Sequence, residues 1–152
     1  MEREPLVSKW ALARFGKEGR PDEVIFRYAE ELNPNFERSQ QPDQMILVWR
    51  YQSENGKPSS AELERMSFLE DALAAVFETD RFATLALVAT GGGLREWTYY
   101  ARSEEEFFVR LNQALGGHAP FPIEIYGNAD PTWSTYEEFM VKVRQKMKRN
   151  WI

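Results

Sequence analysis

Three carboxylates, Glu96, Glu124 and Asp130, are the residues with which this chain could do acid–base chemistry. Such chemistry needs two carboxyl groups held at a defined separation. Glu96 and Glu124 would form one pair and Glu124 and Asp130 another, with Arg95 completing a cleft for a small molecule. Each has a competing structural use. Asp130 stands before Pro131 in the manner of a helix cap, and Glu96 can pair with Arg95 or Arg50 across strands. Catalytic residues therefore stay unassigned, and the residues favour a non-enzymatic chain. His118 is the only histidine, in the loop "GGHAP", so multi-histidine metal sites are excluded and it reads as an ordinary surface residue. No metal and no cofactor are expected.

The stretch "TGGGLREWTYYARSEEEF", residues 90–107, raises a second chemistry, because glycine-rich loops can cradle phosphate. A phosphate loop passes directly from its glycines into a helix whose N-terminal N–H groups face the anion. Here a strand-like aromatic run follows Gly91, Gly92 and Gly93, and neither GxxxxGK[ST] nor GxGxxG occurs. A tight hairpin turn is the better reading, since glycine supplies the positive φ that such turns need.

The elements that must position these residues follow from periodicity. Trp10–Phe15 and Val24–Tyr28, separated by "GKEGRPDE", read as a β-hairpin, and "MILVWRYQ" from Met45 to Gln52 as a third strand. Ser59 and Glu62 have capping-box spacing ahead of Leu63, Met66, Leu69, Leu73, Val76 and Phe77 at helical intervals. A strand over Ala83–Thr90 precedes the glycines and another, Leu94–Arg102, follows them. Ser103 and Glu106 repeat the capping-box spacing before a second helix that Gly116 and Gly117 stop. A strand in "FPIEIYG" and a helix starting at Asp130-Pro131 complete the chain.

From residue 45 to 126 the order is strand, helix, strand, strand, helix, strand, which is the βαββαβ order of a ferredoxin-like α+β unit with an antiparallel sheet. A single domain over 1–152 is expected, with an N-terminal hairpin and loop over 10–44, the core over 45–126 and a C-terminal helix over 130–148. The hairpin should extend the sheet, and the last helix should cap an edge or pack on a face.

Alternation along the strands sorts their side chains. Arg95, Trp97, Tyr99 and Ala101 face one way, and Glu96, Thr98 and Tyr100 the other. The small branched set Ile46, Val48, Ile123 and Ile125 suits the helix-packed face, leaving Trp49, Tyr51, Glu124 and Tyr126 opposite. Trp49, Arg50, Arg95, Glu96, Tyr100, Glu124 and Tyr126 are thus candidates for a binding surface, because aromatic rings with a few charges compose interface hot spots. The competing reading is cross-strand pairing and burial beneath the last helix.

"TGGGLREWTYYARSEEEFFVRLNQAL" and then "PFPIEIYGNADPTW" resemble the bacterial family known as domain of unknown function 695, most strongly over residues 84–139. That family looks related to the ribonuclease E inhibitor/regulator B family, and the resemblance implies a ferredoxin-like fold and action by binding a protein partner. This chain is less acidic than those regulators, and the resemblance carries no catalytic residue onto it.

Composition bounds the rest. The 152 residues hold 24 acidic and 19 basic side chains, a net charge of -5, which argues against a general DNA or polyanion binder. Lys142, Arg144, Lys146, Lys148 and Arg149 form a local basic helix end that leaves an RNA contact open, although an RNP-like motif is absent. Zero cysteines excludes disulfides and thiolate zinc sites and suits the cytoplasm. Neither a secretory leader nor a membrane-length apolar run is evident, so no membrane association is expected. The partner expected is a protein, including a second copy of the chain.

Overall fold

The computed structural model describes residues 5–149. Its elements run β1 (Val7–Phe15), β2 (Val24–Leu32), a 3-10 turn (Arg38–Gln40), β3 (Asp43–Arg50), α1 (Ser60–Phe77), β4 (Ala83–Gly91), β5 (Leu94–Ala101), α2 (Glu104–Leu115), β6 (Ile123–Ala129) and α3 (Ser134–Arg149). The protein is α+β, with one six-stranded antiparallel sheet in the order β1-β2-β4-β5-β3-β6. The N-terminal hairpin extends the sheet beside β4.

The glycine triplet turns the chain. Gly92 and Gly93 have φ of 60° and 83°, the pair of left-handed residues that a two-residue type I′ hairpin requires. Gly91 serves a different purpose. It is paired with Val24, and a Cβ on it would lie 2.3 Å from the Glu23 carbonyl oxygen, so β2 reaches β4 there only because the side chain is missing.

Both serines cap their helices as the spacing suggests, although neither box closes reciprocally, because Glu62 accepts the Trp49 indole N–H and Glu106 accepts Arg110 instead. The Ser59 hydroxyl accepts the Glu62 N–H at 3.2 Å, and Ser103 accepts that of Glu106 at 3.0 Å. α1 buries Met66, Leu69, Leu73 and Phe77, and α2 buries Phe107 and Leu111, against one sheet face. Leu63, expected in the same stripe, stays partly exposed.

α3 lies on the opposite face. Trp133, Tyr136, Phe139, Met140 and Val143 pack there on Tyr28, Ala29, Ala86, Leu87 and Tyr100. The helix begins at Ser134, four residues later than the Asp-Pro signal suggests, because Trp133 adopts φ 57° and breaks the helical path. Asp130 still caps it from a distance, accepting hydrogen bonds from the Ser134 N–H and hydroxyl, the Thr135 N–H and the Tyr100 hydroxyl.

Burial, the largest single influence on Asp130, pushes its carboxyl up, but those hydrogen bonds together outweigh it and hold the carboxyl below its ordinary value. A depressed carboxylate contributes stability that is present above the unfolded value, about 3.9, and is lost as pH falls through the folded one. Asp130→Asn, which keeps a capping side chain, should therefore flatten the fall in stability below about pH 4. Urea titrations of both proteins at pH 6 and pH 3 check this; an equal acid-induced loss in the two would exclude Asp130 as a source.

The faces of β3 and β6 differ from the expected ones. Trp49 and Tyr51 lie on the α1–α2 side with Ile123 and Ile125, whereas Ile46 and Val48 lie opposite with Glu124 and Tyr126. The register decides it: Trp49 pairs with Ile123 and Arg95, and Val48 with Glu124 and Glu96. Side-chain size alone does not set the register. The helix-packed layer carries Trp49 and Trp97 beside Ile123 and Ile125, and only Ile46 and Val48 of the small branched set lie on the other face.

Candidate functional site

Cross-strand register places two rows of side chains on the face that α3 shares. One row runs Phe26, Ala89, Glu96, Val48, Glu124, and the next Tyr28, Leu87, Thr98, Ile46, Tyr126. α3 packs on the β2 and β4 end of these rows. At the β3 and β6 end Tyr126 is 52% exposed and Arg50 and Glu124 stand in solvent, whereas Val48 and Thr98 between them are buried.

On this open half, Arg50 Nε donates to Glu124 Oε1 at 3.0 Å, and the Tyr126 hydroxyl donates to the other Glu124 oxygen. The bonds from Tyr126 and then Arg50 lower the Glu124 carboxyl below its ordinary value, and the bond to Glu124 raises the Tyr126 phenol against the opposing Arg50 charge. Glu96 shares the row two strands away, about 10 Å from Glu124 at ordinary strand spacing, with Val48 between them. Burial raises the Glu96 carboxyl.

The seven candidates therefore separate. Arg50, Glu96, Glu124 and Tyr126 share the open face. Tyr100 has the same orientation but is buried under α3, stacked on Trp133 with ring centroids 4.2 Å apart and donating its hydroxyl to Asp130. Burial and that bond raise its phenol above the ordinary value. Trp49 and Arg95 lie on the α1–α2 side. Trp49 is fully buried, its indole N–H donating to Glu62 at 2.7 Å. Arg95 is half-buried, donating to Thr90 Oγ1 at 2.8 Å and lying over the Trp97 ring. Burial lowers its guanidinium, with the Glu70 charge opposing. Adjacent strand residues point to opposite faces, so Glu96, Glu124 and Arg95 do not converge on one cleft.

Two clefts appear elsewhere. One, of about 290 Å³, lies between the chain after β2 and α3, where Arg38 pairs with Glu137 and covers the rings of Trp133 and Tyr136. The other, of about 210 Å³, lies between the β1–β2 hairpin and α1 and includes Trp10, Arg27, Glu70, Asp71, Glu78 and Tyr99. Arg27 pairs with Glu70, which also accepts the Trp97 indole N–H at 3.0 Å. Sequence reasoning missed this cluster. The available signal is that buried indole N–H groups need acceptors, and α1 carries Glu62 and Glu70 along the flank of its apolar stripe.

His118 is exposed and meets Phe68 edge-on. Lys142 and Arg144 are exposed and Lys146 lies over the Phe15 ring; the side chains of Lys148 and Arg149 lie outside the described residues. No described helix is long and apolar enough to cross a membrane, and among the described residues no group of three or more His, Asp or Glu could hold a metal ion.

Among curated proteins nothing matches the chain. A family model does, over residues 8–141, from the start of β1 into the middle of α3. The match takes in both sheet faces and all three helices, beyond the C-terminal segment in which the resemblance is most visible. The chain belongs to DUF695, a family of unknown function.

Proposed function

We propose that the protein is a binding module rather than a catalyst, engaging another protein chain along β6 and the open half of the sheet, and that its occupant is a second copy of itself. The observation that carries this reading is the contrast between the two sheet edges. β1 is guarded by Lys9, Arg14 and register shifts near its start, devices that discourage edge pairing. β6 has no lysine, proline or irregularity, and its one charge, Glu124, is paired with Arg50.

β6 is also self-complementary. Tyr126 is the central residue of Ile123–Ala129, so antiparallel pairing about a two-fold axis sets Tyr126 against its copy and Glu124 against the Asn128 amide. On the other side Ile125 meets Gly127, beside which the Glu104 carboxylate lies. No like charges oppose each other in this register.

The four-strand unit β4-β5-β3-β6 with α1 and α2 reads, within the same proposal, as a ferredoxin-like core, supported by its βαββαβ chain order. A cytoplasmic, regulatory role belongs to the proposal as well, supported by a cysteine-free composition that suits a reducing compartment.

Light scattering tests the self-association. The wild type should approach twice 17.8 kDa as concentration rises, and Tyr126→Lys, which sets like charges opposite each other, should return it to 17.8 kDa. A wild type that stays at the single mass into the millimolar range, or a Tyr126→Lys variant as dimeric as its parent, would overturn the reading.

A further inference from the structure

We propose that the cleft between the β1–β2 hairpin and α1 binds a primary ammonium group carried on a short aliphatic chain. This site lies away from the β6 edge and does not depend on the reading above. Its charges are unbalanced. Among the described residues Arg27 is the only cation lining it, and it is already engaged, pairing with Glu70 and lying over the Trp10 ring. The more distant Arg95 also faces Glu70. Asp71 and Glu78, by contrast, have no ion-pair partner among the described residues.

Tyr99 supplies an independent observation. It is 3% exposed and lines the cleft, yet its hydroxyl has no hydrogen-bond partner among the described residues. Burial, followed by the Glu70 and Glu78 charges, raises the phenol well above its ordinary value, so it stays neutral with lone pairs to offer. Partial burial and the Glu70 charge likewise raise the Glu78 carboxyl. Glu78 is the C-cap of α1, whose last turn has no basic residue, so the negative end of the helix dipole adds to the same field.

An ammonium group matches these acceptors. Its three donors can reach the Glu78 carboxylate and the Tyr99 oxygen, while Phe77, Ala83, Leu85 and Ala74 offer apolar surface to an alkyl chain. A hard divalent ion is a poorer match, since it takes six or more oxygen ligands. The same group could arrive on a free amine or on the lysine side chain of a polypeptide.

The test is a titration of the uniformly ¹⁵N-labelled full chain with n-butylammonium chloride, following the indole N–H signals of Trp10 and Trp97. 1-Butanol and sodium chloride at matched concentrations serve as controls. A second series uses Nα-acetyl-lysine N-methylamide. Saturable shifts with either amine beyond both controls are expected, and the tighter of the two identifies the source.

Glu78→Gln should weaken binding about tenfold, as removal of a charge-assisted contact does. Tyr99→Phe should weaken it about threefold while leaving the urea midpoint unchanged or higher, since the lost hydroxyl has no partner in the free protein. Shifts that match the sodium chloride control, or affinities unchanged in both variants, would overturn the assignment.

Discussion

Trp133→Ala is expected to remove about 3–5 kcal/mol of folding free energy, a large share of the roughly 5–15 kcal/mol that a domain possesses. The side chain is fully buried at the centre of the layer between α3 and the sheet. It stacks on Tyr100 with the ring planes 7° apart, meets Tyr136 edge-on at 5.8 Å and lies 5.6 Å from Phe36. Its indole N–H donates to the Gln41 carbonyl at 3.0 Å in a buried setting. Truncation leaves a cavity among rigid rings and strands that carbonyl without its donor, and both effects have the same sign. Urea unfolding followed by far-UV circular dichroism gives the number. Trp133→Phe separates the contributions: it refills most of the cavity but not the hydrogen bond, and should cost about 1–3 kcal/mol. A Trp133→Ala loss below about 1 kcal/mol would mean that α3 is not anchored through this ring.

The second large effect is expected from a single methyl group. Gly91→Ala should destabilise the fold by about 2–4 kcal/mol, because the new Cβ would lie 2.3 Å from the Glu23 carbonyl oxygen and 2.9 Å from the Val24 Cα. Both obstacles are backbone, so relief requires β2 and β4 to separate at the end where Val24 pairs with Gly91. Gly92→Ala is the matched control. It has φ 60° but nothing within 4 Å of its Cβ, so only the left-handed penalty of about 1–2 kcal/mol applies. The ordering of the two variants in a thermal melt, with Gly91→Ala melting lower, is the diagnostic. The reverse ordering would refute the close approach of β2 to β4.

The sequence makes the elements legible where local chemistry decides them. Ser59 and Ser103 cap as their spacing requires, and the glycines turn between two strands because left-handed φ is a local demand. Long-range pairing was less legible. Alternation identifies which residues of β3 share a face, but the choice of face for Trp49 comes from its pairing with Ile123 and Arg95, which no local pattern encodes. The same limit applies to the candidate site. Arg50, Glu124 and Tyr126 came together because β3 and β6 are neighbours, whereas Trp49 and Arg95 went to the other side by one step of the pleat. The start of α3 was displaced for a different reason: Asp-Pro is a valid cap signal, but a left-handed Trp133 intervenes, and tertiary stacking on Tyr100 rather than propensity holds it.

The strand order has a consequence for biosynthesis. β3 lies between β5 and β6, the strands that follow it by the greatest distance along the chain. At a translation rate of about 5–20 residues per second, the roughly 80 residues from Arg50 to Ala129 take on the order of 4–16 s to emerge. Until Ala101 emerges the apolar stretch Met45–Trp49 has neither of its sheet neighbours complete, and it lacks β6 for the whole interval, while the β1–β2 hairpin can already close. The nascent chain thus presents an adhesive strand for seconds before its own C-terminal half arrives to cover it, which makes the ribosome exit the point at which this protein is most exposed to wrong partners.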